Sequence, residues 1–151
     1  MKTNTLHRLR RWIIAPVLAL AAAGAHADGK LGVFDAWIRA APPGASMMAG
    51  YATLKNSGDA PITLLTVQGD AFRMTSLHES IVADGVAKMR ELHRLRIEPG
   101  ETVQLAPGGL HLMLMQPRHA VTVGDKVKIM FLLADGRRVE TWFDVVGADA
   151  D

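Results

Sequence analysis

From Leu31 onward the chain runs in short segments rich in Val, Ile, Leu, Thr and aromatic residues, interrupted about every ten residues by Gly, Pro, Asn or Asp. This is the spacing of an all-β sandwich or barrel: each apolar run has strand length, and each break supplies turn residues. The pattern predicts strands over Val33–Arg39, Gly50–Lys55, Ile62–Gln68, Arg73–Glu79, Ala87–Leu95, Thr102–Leu105, Leu110–Gln116, Lys126–Ala134 and Arg138–Val145, and no helix. Asn56-Ser57-Gly58-Asp59, Ala83-Asp84-Gly85, Pro99-Gly100, Pro107-Gly108-Gly109 and Asp135-Gly136 hold residues that tolerate or pre-set turn conformations. No break is long enough for a boundary, so 28–147 is expected to be a single domain, with 148–151 a short tail that frays.

Ahead of that pattern lies a different one. Lys2, Arg8, Arg10 and Arg11 precede an apolar run from Trp12 to Ala25 that closes on Ala25-His26-Ala27, the order of a secretory signal peptide. Residues 1–27 are therefore expected to be removed after Ala27, leaving no membrane insertion and a periplasmic protein; Arg10-Arg11 hints at twin-arginine export. Removal also changes the charge. Four of the 17 Lys and Arg residues and none of the 15 acids lie in this leader, so thirteen cations would remain against fifteen acids, a formal −2. A slightly acidic chain without a basic cluster gives no reason to expect a nucleic-acid partner. Cysteine is absent. That excludes zinc fingers, iron–sulfur clusters, thioredoxin chemistry and the Cys-containing blue-copper site, and with the last of these an electron-transfer cupredoxin.

Chemistry enters through histidine and methionine. Gly109-Leu110-His111-Leu112-Met113-Leu114-Met115 alternates with period two, so the leucines face a core and His111, Met113 and Met115 share the opposite side. A sheet needing only a wet side would use Thr, Lys or Glu there. Around Asp84-Gly85, a two-residue turn would oppose Ser80 to Met89 and leave His78 diagonal to Met89 on one face. Thioethers are soft, neutral donors that favour Cu(I), and imidazole is an acceptable partner. Four neutral ligands favour the monovalent ion, since nothing offsets a second positive charge.

His78, Met89, His111 and Met113 stand as H-x10-M-x21-H-x-M. Composition alone would give that pattern by chance roughly once in 2,000 such chains. The spacing resembles the signature of the PCuAC-type periplasmic copper chaperones. Trp37-Ile38-Arg39 before Pro43-Gly44, Gly50-Tyr51-Ala52-Thr53-Leu54-Lys55-Asn56, Leu77-His78-Glu79, Pro99-Gly100-Glu101 and Pro107 to Leu114 are similar to family segments in the family's order. The resemblance implies a cupredoxin-like Greek-key β-sandwich or barrel that holds one Cu(I) per chain at these four residues. It also implies a non-enzymatic metallochaperone, monomeric, delivering copper to an oxidase copper subunit or a Sco-type protein, towards the dinuclear copper centre of cytochrome c oxidase. The His- and Met-rich extension that some relatives carry has no counterpart in Val146 to Asp151.

Two other functions share these features: a periplasmic copper buffer or resistance protein, and a metal-free exported β-sandwich that binds other molecules. Met130, between Ile129 and Phe131-Leu132, is expected to fill the core. Met47, Met48 and Met74 read as packing or as a rim around the site, Met115 as a reserve ligand, and His93 and His119 as surface residues. Ser76 and Ser80, near His78, lack the context of a nucleophile elbow, and Asp35, Glu79 and Glu91 read as solvated acids.

Overall fold

A computed structural model describes residues 28–149; the expected leader, 1–27, and the end of the expected tail lie outside the described residues. Ten strands form in chain order: β1 (Leu31–Arg39), β2 (Met47–Asn56), β3 (Ile62–Gly69), β4 (Phe72–Ala83), β5 (Val86–Leu92), β6 (Leu95–Ile97), β7 (Thr102–Leu105), β8 (Leu110–Pro117), β9 (Lys126–Leu133) and β10 (Arg138–Val146). The described residues contain no helix, so none is long and apolar enough to cross a membrane.

All ten belong to one open sheet in the order β5-β4-β8-β7-β2-β1-β10-β9-β3-β6, with β8 also pairing β2 beyond the end of β7. Most neighbours are distant in sequence, and β1–β10 and β7–β8 run parallel. The sheet folds over a single core. Ile38, Leu54, Leu112, Leu114, Ile129, Phe131 and Phe143 have no exposed surface within it. Alternation places these side chains inward from nearly every strand and leaves the intervening residues on the outside.

One predicted strand is divided. Ala87–Leu95 is two elements, because β5 pairs β4 at one end of the sheet while β6 pairs β3 at the other. The chain leaves the ladder at His93-Arg94 to cross between those edges, and no local signal marks that crossing. One methionine assignment also needs correction. Met130 is half-buried on the outer side of β9, opposite Glu140, because Ile129 and Phe131 take the inward positions. Of the two readings for Met48, packing holds, since it faces the core at 7% exposure. It is Met47 that turns outward, since β2 begins three residues earlier than the predicted strand.

Asn56 ties the frame at the far end of β2. Fully buried, its side chain accepts from the amides of Lys30 and Gly58 and donates to the carbonyls of Ala60 and Ile97. Every hydrogen-bonding group of the amide thus has a partner, which is the condition for burying it without penalty.

Candidate metal centre

The hairpin β4–β5 turns on Asp84 and Gly85, both at positive φ (54° and 75°), with Ala83 opposite Val86. Two consecutive residues in that conformation define a type I′ turn, whose twist suits a tight hairpin. The register follows: Ser80 opposes Met89 and His78 opposes Glu91. On its other side β4 pairs β8, with His78 opposite His111, Ser76 opposite Met113 and Met74 opposite Met115. Residues directly opposed across antiparallel strands share a face. One outer surface therefore carries Met89 on β5, His78 on β4, and His111 and Met113 on β8.

The two imidazoles form its centre, with ring centroids 6.0 Å apart and planes inclined at 37°. His111 is 7% exposed, which is deep for a side chain on the outer face. Its Nδ1 lies 3.0 Å from the carbonyl of Gly109, which also accepts from the amide of Ser80. A carbonyl can only accept, so Nδ1 carries the proton and Nε2 keeps its lone pair. This is the orienting bond that metal-ligating histidines commonly make. For His78 the roles of the two nitrogens are reversed. Nε2 lies 2.9 Å from Ser76 Oγ, while the buried Nδ1 has no hydrogen-bond partner. The tautomer in which Nε2–H donates to Ser76 leaves that Nδ1 with an unclaimed lone pair, the condition of a nitrogen ready for a cation. Burial, reinforced by the neighbouring His111, holds the His78 pKa below its ordinary value of 6.5 against the opposing influence of Glu91. His78 thus stays neutral to lower pH than a free histidine.

Met113 is half-buried one rung beyond His111. Met89 stands apart. It lies one rung to the other side of His78 on the edge strand and is 62% exposed. The four residues singled out from the sequence therefore share a surface, as a compact trio and one outlying arm. His93 and His119 are exposed, and His93 Nδ1 lies 3.9 Å from Glu91, the residue opposite His78. Among the described residues no group of three or more His, Cys, Asp or Glu side chains is placed to hold a metal ion. The Ser76–His78 contact is no nucleophilic triad, because no third group orients Nδ1.

Ser76 and the Gly109 carbonyl, each two residues before its histidine in the chain, set the imidazoles' tautomers. Arg39, Trp37 and Tyr51 form a wall on the same outer surface. Trp37 opposes Tyr51, the two rings stand 4.5 Å apart, and the Arg39 guanidinium lies 5.6 Å and 5.7 Å from their centres. Arg39 opposes Ala49, which in turn opposes Met113.

An all-β, cupredoxin-like domain is what the resemblance to PCuAC-type chaperones implied, and the solved structures agree in fold. The chain matches the apo PCuAC domain of PmoF2 at TM-score 0.65 and 26% identity, over 81% of this chain and 94% of that domain. It matches the Cu(I) form of DR1885 from Deinococcus radiodurans at TM-score 0.62 and 31% identity, over 82% and 83% of the two chains. The fold is thus the cupredoxin-like β-sandwich of those domains. More particularly, the chain belongs to the LpqE-like family of lipoprotein-like proteins, whose model matches residues 31–145. The lipoprotein-like protein Lxx21020 of Leifsonia xyli subsp. xyli is 34% identical over 114 residues, 75% of this chain and 67% of that protein.

Proposed function

We propose that this protein is a non-enzymatic Cu(I) carrier of the bacterial cell envelope, exported to the periplasm. It holds one Cu(I) through His78, Met89, His111 and Met113 and surrenders the ion by ligand exchange. The observation that carries this reading is the opposed pair His78 and His111. One lone pair is freed by the Gly109 carbonyl and the other is left unpartnered in a buried position. Met113 supplies sulfur beside them, and Met89 closes from the edge strand as the fourth donor. The copper-bound form of the similar DR1885 supports the choice of ion, and the family's lipoprotein-like character supports the envelope.

Two features suit transfer better than storage. The donors are neutral, so the ion is held without a compensating charge, and the weakest arm is the most exposed one. A partner with thiolate ligands would remove the ion through Met89 first. The dinuclear copper centre of cytochrome c oxidase, reached directly or through a Sco-type protein, is the acceptor this reading names.

Competitive titration with a chromophoric Cu(I) chelator tests the site. One tightly held equivalent is expected, and His111→Ala and Met113→Ala should each lose most of the affinity. Unchanged binding by both variants refutes the assignment. A strain lacking the gene should assemble less of the oxidase copper centre; normal assembly at low copper would remove the proposed acceptor.

A further inference from the structure

The same outer surface holds a second group of soft donors, two rungs from the imidazoles. Met115 on β8 is flanked by Met47 on β2 and by Met74 on β4, each directly opposite it in its own ladder. Three thioethers therefore stand in one row across three adjacent strands. With strands about 4.8 Å apart, the outer two Cα atoms are separated by roughly 10 Å, a span that two flexible methionine arms close by leaning over the central one. Met47 and Met74 are 47% and 53% exposed, so neither is held by the core. Three large apolar side chains side by side on the wet face of a sheet are a liability unless they serve a ligand.

We propose that Met47, Met115 and Met74 form a second, all-thioether site that takes a soft monovalent cation, Cu(I) or Ag(I), in three-coordinate sulfur geometry. The site has no nitrogen, carboxylate or thiolate, which selects against Zn(II) and Mg(II) and leaves binding weaker and faster to exchange than at the imidazole pair. Its position gives it a purpose. Met113, on the rung between, is the one sulfur separating this row from His111, with Ala49 and Ser76 beside it. Successive residues on the same side of a strand are about 6.6 Å apart. A cation landing on the exposed row thus reaches the imidazoles by handing off from Met115 to Met113 on one strand. The row is a loading position, whereas Met89 lies at the opposite side of the imidazoles, where a partner can take the ion away.

The site does not depend on the imidazole pair, and the experiment separates the two. The full chain, labelled with 13C at the methionine methyls, is titrated with silver nitrate in a H78A/H111A background. The Met47, Met74 and Met115 methyl signals should shift together and saturate near one equivalent, while Met130 stays still. In the native-histidine background, M47L/M74L/M115L keeps volume and removes sulfur at three outward-facing positions. Its Cu(I) capacity should fall from two equivalents to one, with the tighter equivalent intact. If the three methyls do not respond to Ag(I), or if the leucine variant keeps the capacity of the unmodified chain, the second site does not exist. Should the double-histidine variant not fold, the leucine variant alone decides. A failed imidazole site would appear instead as loss of the tight equivalent's dependence on His111.

Discussion

The sheet has two outer surfaces that meet water in opposite ways. On β9 and β10, Lys126, Lys128 and Met130 stand opposite Asp144, Trp142 and Glu140. Lys126 pairs with Asp144, while Lys128 lies 3.8 Å from Glu140 and 5.3 Å from the centre of the Trp142 ring. That is the ordinary arrangement: long charged side chains alternate in sign and cover the sheet. Across β2, β8, β4 and β5 the equivalent positions hold Met47, Ala49, His111, Met113, Met115, Met74, Ser76, His78, Ser80, Met89 and Glu91, of which only Glu91 carries a fixed charge. The difference is in what the side chains leave free. The first surface occupies its donors and acceptors with one another, whereas the second keeps lone pairs on nitrogen and sulfur unspent and holds a single carboxylate, Glu91, among these positions.

The sharpest way to break this contrast is to treat both surfaces alike. His111→Ala removes a proposed ligand whose orientation is already set by Gly109. Cu(I) affinity should fall at least about 100-fold, or about 2.7 kcal/mol. Lys126→Ala combined with Asp144→Ala removes an ion pair from the other surface and should leave the chelator competition curve unchanged within about twofold. Equal losses in both variants would mean that the contrast has nothing to do with copper. Ser76→Ala is the next smaller step. It leaves all four proposed ligands in place but releases the His78 ring, and losing a hydrogen bond that orients a ligating imidazole costs about tenfold in metal affinity. Ser80→Ala, one rung away without that hydrogen bond, is the matched control.

What could be read from the chain depended on the range of the signal. The leucine face of β8 and its sulfur-and-imidazole face are written in a two-residue period, and Asp84-Gly85 sets the Ser80–Met89 register within one hairpin. Both are local, and both are legible. The opposition of His78 and His111 is not, because β4 and β8 are joined by three intervening strands whose order leaves no mark in any window of sequence. Only the spacing shared with a known family brought those residues together in advance. The row of Met47, Met115 and Met74 was harder still, since it needs β8 placed between β2 and β4 and the true start of β2. Met130 was misread for the converse reason. Three large apolar neighbours suggested a core where alternation alone would have placed it outside.

Acidification sharpens the contrast through His78. Burial and the adjacent His111 lower its pKa, and Glu91 partly restores it. In the metal-free protein its NMR titration midpoint should therefore fall below 6.5, and Glu91→Gln should lower it further. In the unfolded chain the same ring takes its proton near pH 6.5, before the folded one does. The unfolded state then binds more protons, so stability declines as pH drops below 6.5 and levels off below the folded midpoint. Urea unfolding at a series of pH values should show that decline, and His78→Gln should flatten it. A midpoint at or above 6.5 would mean that the imidazole is not held in a desolvated, metal-ready state.

The smallest effect belongs to the charged surface and is informative because it is small. Lys126 and Asp144 are both well exposed, with side-chain exposures of 63% and 59%. An ion pair in that setting is screened by water and salt and must order two flexible side chains, so it contributes only about 0.2–1 kcal/mol. Lys126→Ala should lower the midpoint of thermal unfolding by a few degrees at most, and molar salt should erase the difference between variant and parent. Met74→Leu, on the other surface, should not change thermal stability beyond error, in low salt or high, since it replaces one exposed apolar side chain with another of similar volume. On the proposed reading, one surface would contribute a little salt-sensitive stability and no metal affinity, and the other metal affinity without salt-sensitive stability. A salt-sensitive loss of several degrees from Met74→Leu would show that the sulfur face serves the fold, and the division of labour between the two surfaces would have to be given up.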